Sequence, residues 1–311
     1  LIDRAGFTWA FCVGKCRSFV RVTNDRKTIT TGFTTYLGTA DQAIWPGMVC
    51  VKFDADPRDS NGAWPEISAE LVGLEIGSTE AEGRNAARVI RAYLTTADTG
   101  ACGWGLGEPA DSIDTASVDQ AILDCDTLGL HLDGMLSQTA LSGYWMSQMC
   151  LGGRLRLDKP AGKWRLRVDV ATDSVKEYDE NNILSYSFWP GESSLRHKRA
   201  RVNYRADFIT KQFLGSATRT IGTIGEEENL LEQHLVRDHT TGNALADYVA
   251  NIEKYGELRM QIQTPDVAVG TRTLEDDEVV TIRVPEFPNG RLFRVTSLSQ
   301  GTDESKIELR S

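Results

Sequence analysis

The sequence predicts an α+β fold dominated by antiparallel sheet. Apolar residues recur every second position through residues 1–77 and again from Gly153, which is the period of half-buried strands. Between 79 and 151 they recur at helical spacing instead. The order is strands, then helices, then strands with one helix, with no internal repeat and no low-complexity linker. The 311 residues suggest two domains at ~100–200 residues each.

In the first segment, SFVRVTND alternates, and the Thr-rich TITTGFTTYLGT has the composition of exposed or edge strands. MVCVKFDA is a strand with Val49, Val51 and Phe53 on one face. DPRDSNGAWP is a turn-rich loop, and ISAELVGLEIG returns as a strand whose Leu71 breaks strict alternation.

Thr79 and Glu82 then form a T-x-x-E capping box, followed by Ala86, Val89, Ile90, Tyr93, Leu94 and Ala97 on one helical face. The glycine-rich TGACGWGLGEP stops this helix. Asp114 is a good N-cap for a second helix with Val118, Ala121, Ile122 and Cys125 buried. Ser137 can cap a third, with Leu141, Tyr144, Trp145 and Met149 inward.

From Gly153 the period is again two. GRLRLDKPAGKWRLRVD reads as a hairpin with Leu155, Leu157, Trp164, Leu166 and Val168 toward the core and Lys-Pro-Ala-Gly at the turn. NILSYSFW and RARVNYRADF are further strands. Thr240 or Thr241 caps a helix with Leu245, Tyr248, Val249 and Ile252 inward. GELRMQIQ, EVVTIRV, RLFRVTSL and SKIELR complete the strands.

Hydrophobic residues at 41% and charged residues at 25% exclude wholesale disorder. No stretch reaches the ~18 apolar residues of a membrane span. The opening LIDRAGFTWAF starts on Leu and lacks a basic segment before an apolar core, which reads as no secretory signal and as part of a longer chain. The net charge of −10 argues against nucleic-acid binding over the whole surface, because phosphate contacts need clustered Lys and Arg. The charge is uneven. Residues 1–155 carry 12 basic and 19 acidic side chains, whereas 154–205 carry 12 basic and 7 acidic.

The sequence offers little catalytic chemistry. It has no G-x-S-x-G elbow, no H-E-x-x-H and no Walker A loop, and none of its four histidines (131, 197, 234 and 239) stands beside a nucleophile. Six cysteines are dispersed at 12, 16, 50, 102, 125 and 150, and read as reduced, buried thiols. Cys12-x-x-x-Cys16 with Cys50 lacks the second pair of a zinc site. DADPRDSNGAWPE resembles a calcium loop through Asp54, Asp56, Asp59, Asn61 and Glu66, but Arg58 occupies a ligand position and Glu66 falls one residue late. GWGLG (Gly103, Gly105, Gly107) follows a helix rather than a strand, so it reads as a flexible crossover around Trp104 and not as a phosphate loop. No catalytic residue, metal or cofactor is assigned.

The arginines are more informative. Arg154, Arg156, Arg165 and Arg167 alternate with the apolar residues of the hairpin and so project from its opposite face. Two readings stand: a solvated face balanced by Asp158 and Asp169, or a subunit or partner surface, where Arg is enriched. The run LRHKRAR, with Arg196, Arg199 and Arg201, has the same two readings.

The order of motifs resembles the phage tail-tip and baseplate hub family, including the tip attachment proteins of lambda-like phages and gene transfer agent hubs. TTYLGTADQ matches a Y-x-G-T-x-x-Q region, followed by Trp64-Pro65 and a strand. Arg88 to Leu94, Gly105-Leu106-Gly107 and Ile113-Asp114 match a helix, a G-x-G turn and the start of the next helix. LGGRLRLDKPAGKWRLRVD, NNILSYSF, ARVNYRAD and EVVTIRV…RLFRVTSL continue the order, over about residues 30–311.

The resemblance implies tail-tube-like β-barrel hub domains with a helical insertion. Residues 1–78 would belong to the first barrel, 79–152 to the insertion and 153–311 to the second barrel with one helix, the barrels interleaving in sequence. It implies a homotrimeric ring around the tail channel. Its partners would be the tail tube, the distal tail and the receptor-binding or wedge proteins, with the host envelope met indirectly. DNA would pass without specific binding. The location would be the virion tail tip, after assembly in the host cytoplasm. The competing expectations are a tail-associated cell-wall hydrolase and a host-surface carbohydrate-binding module. The module needs Trp45, Trp64 or Trp189 as an exposed platform, whereas large aromatics generally bury in cores or interfaces. In a ring, an acidic lumen would repel passing DNA, and the arginines of 154–205 would face subunits or partners.

Overall fold

The computed structural model describes residues 2–310 except 14, 75, 77, 97–104, 135–140, 171, 191–196, 208, 209, 211, 223–227, 256, 257, 277, 302 and 303. Two compact units form: residues 1–169, 202–217 and 232–245 make unit 1, and 170–201, 218–231 and 246–311 make unit 2.

Unit 1 begins with strands β1 (Thr8–Val13), β2 (Cys16–Asn24), β3 (Lys27–Ile29), β4 (Phe33–Leu37), β5 (Met48–Phe53) and β6 (Ile67–Leu74). They make two three-stranded antiparallel sheets, ordered β1-β5-β4 and β3-β2-β6. Trp9, Val51 and Phe53 of the first sheet and Val22 of the second share one core, with Phe33, Trp64 and Ile67 packed against it. The Thr-rich β3 and β4 are edge strands, as their composition predicts. β5 is central and more apolar than its alternation suggests, since Cys50 is buried on the face opposite Val49 and Val51.

The helical part is α1 (Glu80–Arg84), α2 (Ala86–Thr95), α3 (Thr115–Leu128) and α4 (Ser142–Gly152). The Thr79–Glu82 capping box forms as read. The expected single helix is divided, because Asn85 leaves helical φ/ψ and its side chain accepts from the Arg88 N–H to start α2. Asp114 caps α3 by accepting from the Ser117 N–H, and Val118, Ala121, Ile122 and Cys125 are buried. α4 corrects the reading of its inward face. Trp145 and Met149 are buried, but Leu141 is 85% exposed at the N-cap and Tyr144 is also exposed. Ser137 and Ala97 lie outside the described residues.

The hairpin β7 (Leu155–Asp158) and β8 (Arg165–Val168) turns through Pro160–Gly162. α3 packs on β8 and α4 on β7. The Trp164 N–H donates to Ser112 O at 2.7 Å and the Asp114 N–H to Trp164 O at 2.8 Å, which laces the start of α3 to the hairpin.

In unit 2, β9 (Lys176–Asp179) and β10 (Ser185–Pro190) join later strands of the chain. Next come β11 (Arg199–Asp207), β12 (Gln212–Thr220) and β13 (Asn229–Glu232), in the order β12-β11-β13, then α5 (His239–Tyr255). The division between the units falls within these four elements. The remaining strands are β14 (Leu258–Thr264), the small pair β15 (Ala268–Val269) and β16 (Arg272–Thr273), then β17 (Val279–Arg283), β18 (Arg291–Gln300) and β19 (Ser305–Arg310).

Unit 2 is built on one six-stranded sheet ordered β10-β14-β19-β18-β17-β9, antiparallel except for the parallel β17–β9 pair. Met260, Ile262, Val280, Phe293, Val295, Ile307 and Leu309 line its buried face at every second position. The sheet is curled and open. β10 and β9 end it, so among the described residues the barrel expected from the resemblance does not close.

The start of α5 differs from the expected Thr240 or Thr241 cap. The Asp238 carboxylate accepts from the Thr241 N–H at 2.9 Å, and the Gly242 N–H donates to Asp238 O. Leu245 is buried, Tyr248 and Val249 are half-buried, and Ile252 is exposed, contrary to expectation. Burial pushes the Asp238 carboxyl up, but hydrogen bonds from Thr241, with His131 and Arg84 nearby, outweigh it and hold it below its ordinary value. A depressed carboxyl contributes stability above its unfolded pKa and loses it as pH falls through the folded value. Asp238→Ala is therefore expected to cost about 1 kcal/mol at pH 7 and to flatten the acid limb below pH 4. Urea midpoints of both forms between pH 7 and pH 3 check this.

Candidate functional site

The hairpin arginines pair with carboxylates more than their spacing reveals. Register places Asp158 opposite Arg165 and Arg156 opposite Arg167. Arg165 is 5% exposed, and its Nη2 lies 2.7 Å from Asp158 Oδ2. Arg156 reaches Asp169 Oδ2 at 3.0 Å. Arg154 precedes the strand at φ +52 and donates to the Asp169 carbonyl. Arg167 is half-buried on β8. Asp158 and Asp169 thus hold Arg154, Arg156 and Arg165, and Arg165 packs into the fold rather than projecting into water. Removing one partner of a buried pair leaves the other uncompensated, less so where that other is half in water. Asp158 is about two-fifths exposed, so Arg165→Ala is expected to cost about 2 kcal/mol. Asp158→Asn takes the carboxylate from the buried Arg165 and should cost at least as much, and denaturant midpoints compare the two.

The second basic run follows the alternation of β11. Ala200, Val202, Tyr204 and Ala206 are buried while Arg199 and Arg205 are exposed. Arg201 lies 3.6 Å from Glu228. The Arg199 side chain makes no hydrogen bond or ion pair among the described residues. Arg196 lies outside them.

The two glycine motifs of the resemblance prove to be anchored turns. In Tyr36–Gln42, the Gln42 side-chain oxygen accepts from the Gly38 N–H at 2.8 Å and the Thr39 N–H at 3.2 Å. Its amide nitrogen contacts the carbonyls of Ile44, Trp45 and Met48 at 2.8, 2.7 and 2.7 Å. In the second motif, the N–H groups of Leu106, Gly107 and Glu108 donate to the carbonyls of Tyr93, Thr96 and Leu94, so the turn caps the C-terminus of α2. Residues 105–108 of the expected crossover thus form a hydrogen-bonded cap, and Gly103 lies outside the described residues. Trp104 lies outside the described residues.

An ionic chain joins the β-rich start of unit 1 to its helices. Arg21 and Arg237 both reach Glu70, at 3.3 and 2.6 Å. The Arg237 N–H donates to Asp133, which Arg84 also binds at 2.6 Å. Arg84 and His131 each lie 3.9 Å from Asp238. These partners stand as many as 167 residues apart, so no local spacing marks them.

The candidate ligand sites resolve into structure. Among the described residues, no group of three or more His, Cys, Asp or Glu side chains can hold a metal ion. Burial, with Cys16 and Cys50 nearby, pushes the Cys12 thiol up to about 12, and burial raises Cys50 to about 11. Cys12, Cys16, Cys50, Cys125 and Cys150 are all free thiols, and Cys102 lies outside the described residues. In the calcium-like loop, Asp56 pairs with Arg58, and Asp59 accepts from the Asn61 and Ala63 N–H groups. Trp64 belongs to the core cluster, whereas Trp45 and Trp189 are exposed in the single chain and so are not core residues.

No family model and no curated protein matches the chain. Among solved structures, a chain of the virion of a native gene transfer agent particle superposes with a TM-score of 0.59 at 16% identity, over 97% of this chain and 77% of that one. The two share a fold. A tail protein from Neisseria meningitidis MC58 (TM-score 0.43, 11% identity) covers 58% of this chain and 57% of its own. A prophage tail protein from Listeria monocytogenes EGD-e (TM-score 0.40, 11% identity) covers 58% and 56%.

Proposed function

We propose that the chain is a structural hub protein in the tail tip of a phage or phage-like particle. Three copies form a ring around the tail channel and join the tail tube to receptor-binding or wedge proteins. The observation that carries this reading is the fold shared with the gene transfer agent virion chain over nearly the whole length. The ordered motifs support it independently, since both glycine motifs serve as anchored turns in the fold.

Three copies of a chain with two β-rich units present six units, a number that matches a six-fold tube. The open edges β9 and β10 leave the second unit able to complete a barrel only with strands from elsewhere. The acidic surface faces the lumen and repels the DNA that passes, while the basic segment faces neighbouring subunits or tail proteins. The protein works by assembly, without catalysis or cofactor, at the virion tail tip after assembly in the host cytoplasm.

Imaging of the protein mixed with its tail-tube partner, together with mass measurement in native buffer, tests the reading. A three-copy ring is expected. A persistent monomer in that mixture overturns the ring. Release of peptidoglycan fragments, lost on changing one buried carboxylate, would replace the structural role with a hydrolase.

A further inference from the structure

We propose that the outer face of the six-stranded sheet docks an acidic helix of a neighbouring tail protein, held by Arg259, Arg310 and Arg294 with Trp189 at the end of their row. The neighbour is the one that the assembly reading above supplies, whereas the row follows from strand register in unit 2 alone.

Register puts the four side chains in line. Trp189 of β10 lies opposite Arg259 of β14, Arg259 opposite Arg310 of β19, and Arg310 opposite Arg294 of β18. Met260, Leu309 and Val295, one residue along each strand, are buried in the core, so the arginines stand on the other face. Trp189 and Arg259 are exposed, and Arg310 and Arg294 are half-buried. Each arginine also has a partner within the chain, Arg294 donating to the Val170 carbonyl at 3.1 Å. A guanidinium carries five N–H donors, so such a bond orients it without using it up.

Like charges directly opposite one another cost stability in a sheet. Three arginines on consecutive strands are therefore an arrangement that an external anion relieves. The carboxylates of this face stand outside the row. Glu308 lies 3.8 Å from Lys306, Glu177 lies 2.9 Å from Arg283, and Asp179 sits opposite Arg283 on β9.

Charge and spacing select the occupant. The planar guanidinium fork matches a carboxylate in two parallel hydrogen bonds. Neighbouring strands are ~4.8 Å apart, close to the ~5.4 Å turn at which side chains recur along one face of a helix. An extended strand repeats its face only about every 7 Å and fits the row less well. A continuous polyanion such as DNA is repelled by the chain's net charge of −10, whereas a helix brings only a few carboxylates. Trp189 supplies the apolar anchor, since Trp and Arg lead among the residues that carry interface energy.

The test is the binding of a labelled helical peptide to the full chain, followed by fluorescence anisotropy. The peptide carries Glu every third or fourth position on one face and Leu one turn beyond. Arg259→Gln, Arg310→Gln and Trp189→Ala are each expected to weaken its binding about ten-fold with little change in unfolding midpoint. Arg283→Gln, at the Glu177 end of the face, should leave it unchanged. The same residues with Glu at alternate positions should bind about ten-fold more weakly. No binding by the wild type, equal binding in Arg259→Gln and Arg310→Gln, or tighter binding of an oligonucleotide of equal charge overturns the docking face. A ring that forms from a chain unable to bind the peptide overturns the docking face and leaves the ring reading standing. Peptide binding with the expected losses, by a chain that forms no ring, supports the docking face and overturns the ring.

Discussion

Gly105→Ala is expected to destabilise unit 1 by about 3 kcal/mol, visible as a lower denaturant midpoint with an unchanged slope. A Cβ on Gly105 would fall well inside contact distance of the Tyr93 and Thr96 carbonyl oxygens. Both are backbone atoms at the end of α2, and Tyr93 O and Thr96 O also accept the Leu106 and Gly107 N–H groups. Neither can retreat without breaking the cap, and the uncapped carbonyls would lose their partners next to the buried Leu94. Gly143→Ala is the control. It lies in α4 with open space around its Cβ position, so alanine there should be neutral or stabilising by up to about 1 kcal/mol. Equal losses at the two positions would show that the carbonyl contacts are not the cause.

Gln42→Leu is expected to cost about 2–3 kcal/mol. The change keeps the side chain's bulk but removes contacts to two N–H groups and three carbonyls at 2.7–3.2 Å. Each internal hydrogen bond nets about 1 kcal/mol, and the half-buried turn lets water recover part of the loss. Gln42→Glu separates the two halves of the clamp. A carboxylate still accepts from Gly38 and Thr39 but cannot donate to the Ile44, Trp45 and Met48 carbonyls. It should therefore also destabilise, and amide exchange should quicken across 42–48 more than at Gly38 and Thr39. Preserved stability in Gln42→Glu would remove the donor side of the clamp as a cause.

Much of the local structure was legible because it is decided within a few residues. The Thr79–Glu82 box and the Asp114 cap depend on side chains three positions from the amides they satisfy. The burial of Val118, Ala121, Ile122 and Cys125 follows from helical period alone. The same reasoning failed where a neighbouring element determines which face is covered. Leu141 and Tyr144 have the right spacing for an inward face, but α4 packs on α2 and β7 through Trp145 and Met149. Arg165 has the period of a solvated residue but is buried beside the carboxylate that register places opposite it.

Trp45 shows the same division. Composition argued for a core or interface aromatic, and nothing local indicated that Gln42 would hold it outward at φ +48. The Arg21–Glu70–Arg237–Asp133–Arg84 chain likewise has no signature in spacing, since its members come from β2, β6, α1 and two loops.

The sequence by itself determined the α+β class, the placement of the helices between two β-rich parts and the caps at Thr79 and Asp114. Periodicity and capping are short-range properties written in consecutive residues. Only the tertiary structure decided that the six-stranded sheet stays open at β9 and β10, that the glycine motifs are anchored turns, and which arginines are engaged. Those outcomes depend on which distant strand or carboxylate arrives alongside, and pairing between distant segments is settled by packing the whole chain.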